Sequence, residues 1–139
     1  MHVKLQYRSK IWGPEYIKNK EIENYAFIGE LSLDGKVNSI SGILPMCIEL
    51  KRLGIKKVIL PPNIRVIPSY SISAEEVIFP KNSQTEIIEG GAFVSSFKAI
   101  DLPSSLKVIG YSAFKNFSFE TITIPRSVIF VGSESFSNN

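Results

Sequence analysis

The chain has little of the chemistry on which many enzymes and extracellular scaffolds depend. Its 139 residues include one cysteine, Cys47, and one histidine, His2. A single cysteine excludes an intramolecular disulfide framework and a cysteine-rich zinc site. A single histidine argues against a histidine-based metal cluster or catalytic triad. No apolar run approaches the roughly 18 to 20 residues that a membrane-spanning helix needs. These absences predict a protein that does not cross a membrane and binds no metal.

A phosphate-binding loop is also missing. The segment from Gly29 to Lys36 superficially resembles one, but five residues separate its two glycines instead of four. Val37 then stands where a serine or threonine would hold magnesium. The pattern of residues 43–53 places Cys47 on the apolar face of a helix, which predicts a buried thiol and not a nucleophile. We therefore predict no catalytic, cofactor-binding or metal-binding residues, no cofactor and no enzymatic activity.

Charge is distributed unevenly along the chain. Residues 1–66 carry 11 basic against 6 acidic residues, and residues 67–139 carry 5 against 7. The basic residues are dispersed and interrupted by acids, so a nucleic-acid partner is not favoured. The first residues have no apolar core of the kind that a secretory signal contains. The expectation is a cytoplasmic chain, with the cell surface as the alternative if the sequence is a fragment.

Four segments from residue 58 onward repeat one layout of a short apolar strand followed by proline. The prolines lie 19, 23 and 22 residues apart, and a small residue with a bulky apolar one closes each unit. The strands and closers are 58–61 with Ser71-Ile72, 77–80 with Ala92-Phe93, 100–103 with Ala113-Phe114, and 122–125 with Ser135-Phe136. A unit of this size buries its apolar face only by stacking on neighbours, which predicts a solenoid.

The repeat register makes specific structural predictions. Residues 58–60, 77–79, 100–102 and 122–124 are predicted to form one parallel sheet with Leu60, Phe79, Leu102 and Ile124 directed inward. The rings of Phe93, Phe114 and Phe136 should stack as a continuous spine. Gly110 and Gly132 precede the closing aromatics, and we expect these glycines to supply positive φ at a turn.

The runs Leu102-Pro-Ser-Ser-Leu-Lys-Val-Ile-Gly-Tyr-Ser-Ala-Phe114 and Ile124-Pro-Arg-Ser-Val-Ile-Phe-Val-Gly-Ser-Glu-Ser-Phe136 resemble the BspA-type leucine-rich repeat. The resemblance covers residues 76–139 well and 58–72 loosely. It implies a right-handed solenoid that binds other macromolecules, often at cell surfaces. Two positions depart from the motif, because Pro68 and Glu89 stand where it has glycine.

The front of the chain follows a different pattern. Residues 25–35 alternate apolar and polar before an Asp-Gly turn, and residues 36–40 follow as the second strand of a hairpin. Residues 43–53 have helical spacing, and a strand begins at Lys57. The sequence thus predicts an α/β fold in which a β-β-α-β unit at residues 1–57 caps a leucine-rich-repeat solenoid at residues 58–139.

The run Phe27-Ile-Gly-Glu-Leu-Ser-Leu-Asp-Gly-Lys-Val37 resembles the amino-terminal domain of the magnesium-chelatase-like (ComM-like) AAA+ ATPases, within a match over residues 14–67. That domain is similar in plan to the catalytic domain of Lon protease. The serine and lysine of the Lon dyad have no counterpart here, so proteolysis by that route is disfavoured.

Three interpretations of function follow. The first is a non-enzymatic leucine-rich-repeat module that binds a protein or a surface. The second is a fragment or fusion of a ComM-like ATPase involved in DNA uptake or processing, without its ATPase core. A recombined or artificial sequence is the third interpretation and stays open.

The expected partner-binding surface consists of strand residues that do not face the core. In neighbouring units such residues line up as columns. The candidates are Lys57, Glu76 and Thr121 in one column and Ile59, Ile78, Asp101 and Thr123 in the next. A second interaction site, an apolar surface at the Phe136 end of the last unit, is expected to allow self-association.

Overall fold

The part of the chain that the structure describes consists of short strands arranged in three sheets. The computed structural model describes residues 25–27, 30–31, 37–38 and 56–139. The strands are β1 Tyr25–Phe27, β2 Glu30–Leu31, β3 Val37–Asn38, β4 Lys57–Ile59, β5 Val66–Ile67, β6 Glu76–Ile78, β7 Ile87–Ile88, β8 Val108–Ile109 and β9 Phe130–Val131. The described residues contain no helix.

Two parallel sheets run along the repeats. One has three strands in the order β1-β4-β6, and the other has four in the order β5-β7-β8-β9. In the four-stranded sheet each strand pairs with its equivalent about one repeat later, so that Ile67, Ile88, Ile109 and Val131 form one column. Parallel pairing at a constant register is what stacked repeat units produce.

One parallel sheet was predicted through residues 58–60, 77–79, 100–102 and 122–124, and only the first two of these segments form strands of it. β4 and β6 pair as expected, with Val58 opposite Val77. Residues 100–102 and 122–124 form no strand. On that side the interior holds an aromatic cluster that includes Phe97 and Phe117, whose ring centroids lie 4.7 Å apart. These ring contacts add to the backbone hydrogen bonds, such as that from the Phe114 amide to the Ser135 carbonyl, that join the later units.

The apolar positions of the repeats form one core. Leu60 is fully buried and Phe79 is 8% exposed, as predicted. Leu102 is half-buried, and the inward prediction is wrong for Ile124, which is 38% exposed. Ile124 lies in the last described unit, where no described repeat follows to cover it.

The predicted aromatic spine is confirmed. The ring of Phe114 stacks on Phe93 at a centroid distance of 5.2 Å and on Phe136 at 5.4 Å, with interplanar angles of 22° and 12°. One closing ring from each of three successive units therefore lies on the next. The stack links the units through the interior, where each ring excludes water from its neighbours.

The predicted N-terminal hairpin is confirmed only in part: β2 pairs antiparallel with β3, with Glu30 opposite Asn38 and Leu31 opposite Val37, but residues 25–27 of its predicted first strand belong to another sheet, and the β-β-α-β unit is not supported. β1 pairs in parallel with β4, so the sheet of the repeats extends to residues before 57. The predicted helix at 43–53 and Cys47 lie outside the described residues. The division of the chain at residue 57 stays a prediction.

Gly110 and Gly132 are required for a reason that differs from the expected one. Neither has positive φ; among the described glycines only Gly91 does, at 61°. Instead, a Cβ on Gly110 would lie 2.4 Å from the backbone nitrogen of Gly90, and one on Gly132 would lie 2.6 Å from that of Tyr111. The two glycines therefore allow the backbones of adjacent units to approach closely.

Positive φ occurs instead three residues beyond each member of the column of Ile67, Ile88, Ile109 and Val131. That position is occupied by Tyr70, Gly91, Ser112 and Glu134, with φ of 55°, 61°, 52° and 56°. Only one of the four is glycine, although residues with a Cβ are strained in this conformation.

Replacing Ser112 by glycine is expected to stabilise the protein by about 1 kcal/mol, because it relieves this strain. The change also removes a buried hydroxyl, Oγ of Ser112, that has no hydrogen-bond partner. Urea unfolding of Ser112→Gly and Ser112→Ala measures the two effects separately, since alanine removes only the hydroxyl. A glycine variant no more stable than the alanine variant would show that the backbone strain is unimportant.

Candidate interaction surface

The predicted partner-binding residues occupy two different environments. Lys57 and Glu76 are cross-strand neighbours in β4 and β6, and their side chains form an ion pair at 3.2 Å. Asp101, Thr121 and Thr123 are exposed but belong to segments that are not strands. The structure brings the first two together and does not extend their column across the later repeats.

The predicted exposed pair of isoleucines is wrong for one member. Ile59 is 2% exposed, and Ile78, opposite it in β6, is half-buried. Ile59 lies in the central strand of the three-stranded sheet, between β1 and β6. A central strand flanked on both sides is shielded more than a strand at a sheet edge. Ile59 therefore cannot contribute to an exposed binding patch.

The four-stranded sheet presents a different apolar surface. In β5, β7 and β8 the second residue is buried in the core, whereas Val131, the second residue of β9, is 47% exposed; the first residue of all four strands stands outside the core cluster. These first residues are Val66, Ile87, Val108 and Phe130, which we call the apolar stripe. Val66 is 37% and Phe130 57% exposed, and the two between them are half-buried.

Charged side chains line the stripe on the side where the strands begin. Arg65, Glu86 and Lys107 immediately precede β5, β7 and β8, so they are neighbours across the sheet. The Glu86 carboxylate accepts a hydrogen bond from the Lys107 ammonium at 3.1 Å and lies 3.8 Å from the Arg65 guanidinium. We call this side the leading edge. The three side chains form a row of alternating charge, which we call the charge ladder, with two cations and one anion.

The charge ladder changes the pKa of the carboxyl group at its centre, that of Glu86. The hydrogen bond and charge of Lys107, and to a smaller degree the charge of Arg65, hold the pKa of Glu86 below its usual value. A lowered pKa means that the stabilisation is present above the ordinary pKa of glutamate and is lost as pH falls through the lowered value.

Substituting Lys107 by methionine is expected to return the pKa of Glu86 towards its ordinary value. The remaining cation, Arg65, is farther from the carboxylate and should preserve only a small part of the shift. NMR titration of the Glu86 side-chain carbonyl in both proteins measures the change. An unchanged titration midpoint in Lys107→Met would show that the ion pair does not persist in solution.

The opposite side of the stripe, which we call the trailing edge, is where the strands end. Glu89 follows β7, and its carboxylate accepts hydrogen bonds from the backbone amide of Ser69 at 2.9 Å and from its hydroxyl at 3.2 Å. Glu134, farther along this edge, pairs with Lys115. The charge and hydrogen bond of Lys115 lower the pKa of the Glu134 carboxyl. Because Lys115 offsets the charge of Glu134, Glu89 supplies the net negative charge of the trailing edge.

Sequence reasoning missed the apolar stripe, although a pattern for it exists. Each unit contains two consecutive apolar residues at this point, such as Val66-Ile67 and Val108-Ile109. Successive strand residues face opposite sides, so only one of each pair can enter the core. The other apolar residue of each pair, here the first, must therefore lie on the outward face.

No group of three or more residues able to ligate a metal is found in the described part of the chain. The search for membrane-crossing helices, made over the same residues, found none of sufficient length and apolarity. Neither finding identifies a second site, so the apolar stripe with its two charged edges is the best-formed candidate surface.

Stacked units, parallel sheets of short strands and a surface made of repeated positions define a repeat solenoid. A family model described as the BspA type leucine-rich repeat region matches residues 20–139 in six copies. The chain belongs to this family. No curated protein and no solved structure matches it.

The match includes most of the segment that resembles the ComM-like domain, and nothing in the comparisons supports that resemblance. The six copies exceed the four units visible from residue 58 onward. A repeat protein of this family is suited to protein interaction or surface binding.

Proposed function

We propose that this chain is a non-enzymatic protein-interaction module, and that its partner binds the outward face of the four-stranded sheet. The observation that carries the proposal is the apolar stripe. A row of four apolar side chains, one from each repeat, faces away from the core at positions that a solvated strand normally fills with polar residues.

The surroundings of the stripe support the same conclusion. Protein-binding patches commonly combine an apolar centre with a charged rim. Here Arg65, Glu86 and Lys107 form the rim on one side, and Glu89 lies on the other. The ion pair of Lys57 and Glu76 lies in the other parallel sheet, so the binding role first expected for those two residues is not part of this surface. No observation favours the alternative of an ATPase fragment.

The test uses Val108→Lys, which places a charge in the middle of the stripe. Val108 is half-buried and outside the core cluster, so the variant should fold. A lysine that loses water on binding should weaken the complex by about tenfold or more. The measurement is affinity capture from extracts of cells that produce the protein, with quantitative mass spectrometry of the captured proteins.

The matched control is Ser118→Lys, which adds the same charge at an exposed residue outside the strands. We expect some proteins to be captured by the wild type and by the control but not by Val108→Lys. The circular dichroism spectrum of Val108→Lys should be unchanged, which shows that the variant is folded. Equal capture by both variants would place the binding site elsewhere.

A further inference from the structure

The dimensions of the apolar stripe restrict what can lie on it. Strands β5, β7, β8 and β9 contain two residues each, so the face extends only about 7 Å along the strands. Across the four strands it extends about 14 Å, since neighbouring strands lie about 4.8 Å apart. A partner segment that covers the stripe must therefore run across the strands.

The spacing of the stripe favours a helix over an extended segment. A helix returns a side chain to the same face about every 5.4 Å, and an extended strand does so about every 6.7 Å. Over the three intervals from Val66 to Phe130 the helix drifts by about 2 Å from the stripe, whereas the strand drifts by about 6 Å. Only the helix keeps an apolar side chain near each stripe residue.

The two edges of the sheet carry opposite net charge. The strands are parallel, so the segments that lead into them share one edge, and the segments that follow share the other. Residues 61–65, 80–86, 103–107 and 125–129 contain Arg65, Lys81, Lys107 and Arg126 against Glu86, a net charge of 4 − 1 = +3. Residues 68–71, 89–92, 110–113 and 132–135 contain Glu89 and Glu134, and Lys115, which pairs with Glu134, offsets one of these charges, so the net charge is −2 + 1 = −1.

We propose that the occupant of the apolar stripe is an amphipathic helix of a protein partner, with acidic side chains along the leading edge and basic side chains along the trailing edge. This inference rests on the proposed function and adds the class of segment that is recognised. Apolar residues spaced at i, i+4, i+7 and i+11 would contact the four stripe residues. The flanking charges would set the direction of the helix, since reversing it would place like charges together.

The experiment selects 14-residue peptides from a random displayed library on the full chain, after depletion on Val108→Lys. The expected survivors carry the helical apolar spacing with acids on one side of the apolar row and bases on the other. A synthetic survivor should gain helical circular dichroism when the protein is added.

Two matched controls follow. The first control is a peptide with the same composition and the same apolar row, but with acidic and basic residues mixed on both sides of that row. It should bind at least about fivefold more weakly at low salt. In about 0.5 M salt the difference should disappear, because salt screens the charges. On the protein side, the double variant Arg65→Glu with Lys107→Glu should weaken binding of the selected peptide by a similar factor, while Ser118→Lys should not.

The outcomes separate the two proposals. Survivors with no helical spacing, or survivors whose mixed-charge version binds equally well, would overturn the helix inference and leave the stripe as the binding surface. If no peptide survives depletion on Val108→Lys, the stripe itself is not a binding surface, and both proposals fail.

Discussion

Replacing Phe114 by alanine is expected to lower the free energy of unfolding by about 4 kcal/mol. The side chain is fully buried, and its ring contacts Phe93 and Phe136 in the stack and Phe117 and Phe119 edge-on. Alanine leaves a cavity that these neighbours, themselves fixed by other rings, can fill only in part. The loss is a large share of the roughly 5 to 15 kcal/mol that stabilises a typical domain. Urea denaturation followed by circular dichroism measures it.

Val94→Ala is the control, because Val94 is 56% exposed and lies only one residue from Phe93 in the stack. A surface truncation of this kind should change stability by less than about 0.5 kcal/mol. Phe114→Leu should fall between the two, since leucine fills part of the volume. A loss below about 1.5 kcal/mol for Phe114→Ala would mean that the ring stack is not the structural centre of the repeats.

The repeat core could be predicted because its pattern depends on local chemistry that recurs. Each unit repeats the same small residue and bulky apolar residue, and stacking of Phe93, Phe114 and Phe136 follows from that period alone. The burial of Leu60 and Phe79 follows from strand alternation in the same way.

The sheet topology was not predictable to the same extent. The apolar strand-like pattern of residues 100–102 and 122–124 reports which side chains favour the core, and Ile100 is indeed buried. It does not report whether two backbones come close enough to pair. That distance is a property of three-dimensional packing and not of the strand sequence.

The exposure of Ile59 was wrongly predicted for a related reason. Ile59 was expected on an exposed column because of its position in the strand, but its burial depends on the strands on either side of it. The stripe at Val66 and Val108 depends on a second sheet, formed by the residues after each proline. The sequence contained the paired apolar residues but not the pairing of those strands.

Replacing Gly110 by alanine is expected to destabilise the protein by about 3 kcal/mol, the upper part of the usual range for overpacking. Its Cβ would lie 2.4 Å from the nitrogen of Gly90 and 2.7 Å from the carbonyl carbon of Glu89, and neither backbone atom can rotate away. Two adjacent units would have to separate, which would weaken the hydrogen bond from the Gly110 amide to the Ile88 carbonyl, now 2.8 Å long.

The effect should be localised as well as large. Because each repeat contacts only its neighbours, amide hydrogen exchange should accelerate most in β7 and β8 and least in β4 and β6. Glu89→Ala is the matched control, since residue 89 occupies the equivalent position one unit earlier and already carries a Cβ. Its loss of exposed hydrogen bonds to Ser69 should cost less than about 1 kcal/mol. If Gly110→Ala proves no more destabilising than this control, or if exchange accelerates uniformly, the close approach of the two backbones is not what requires glycine at residue 110.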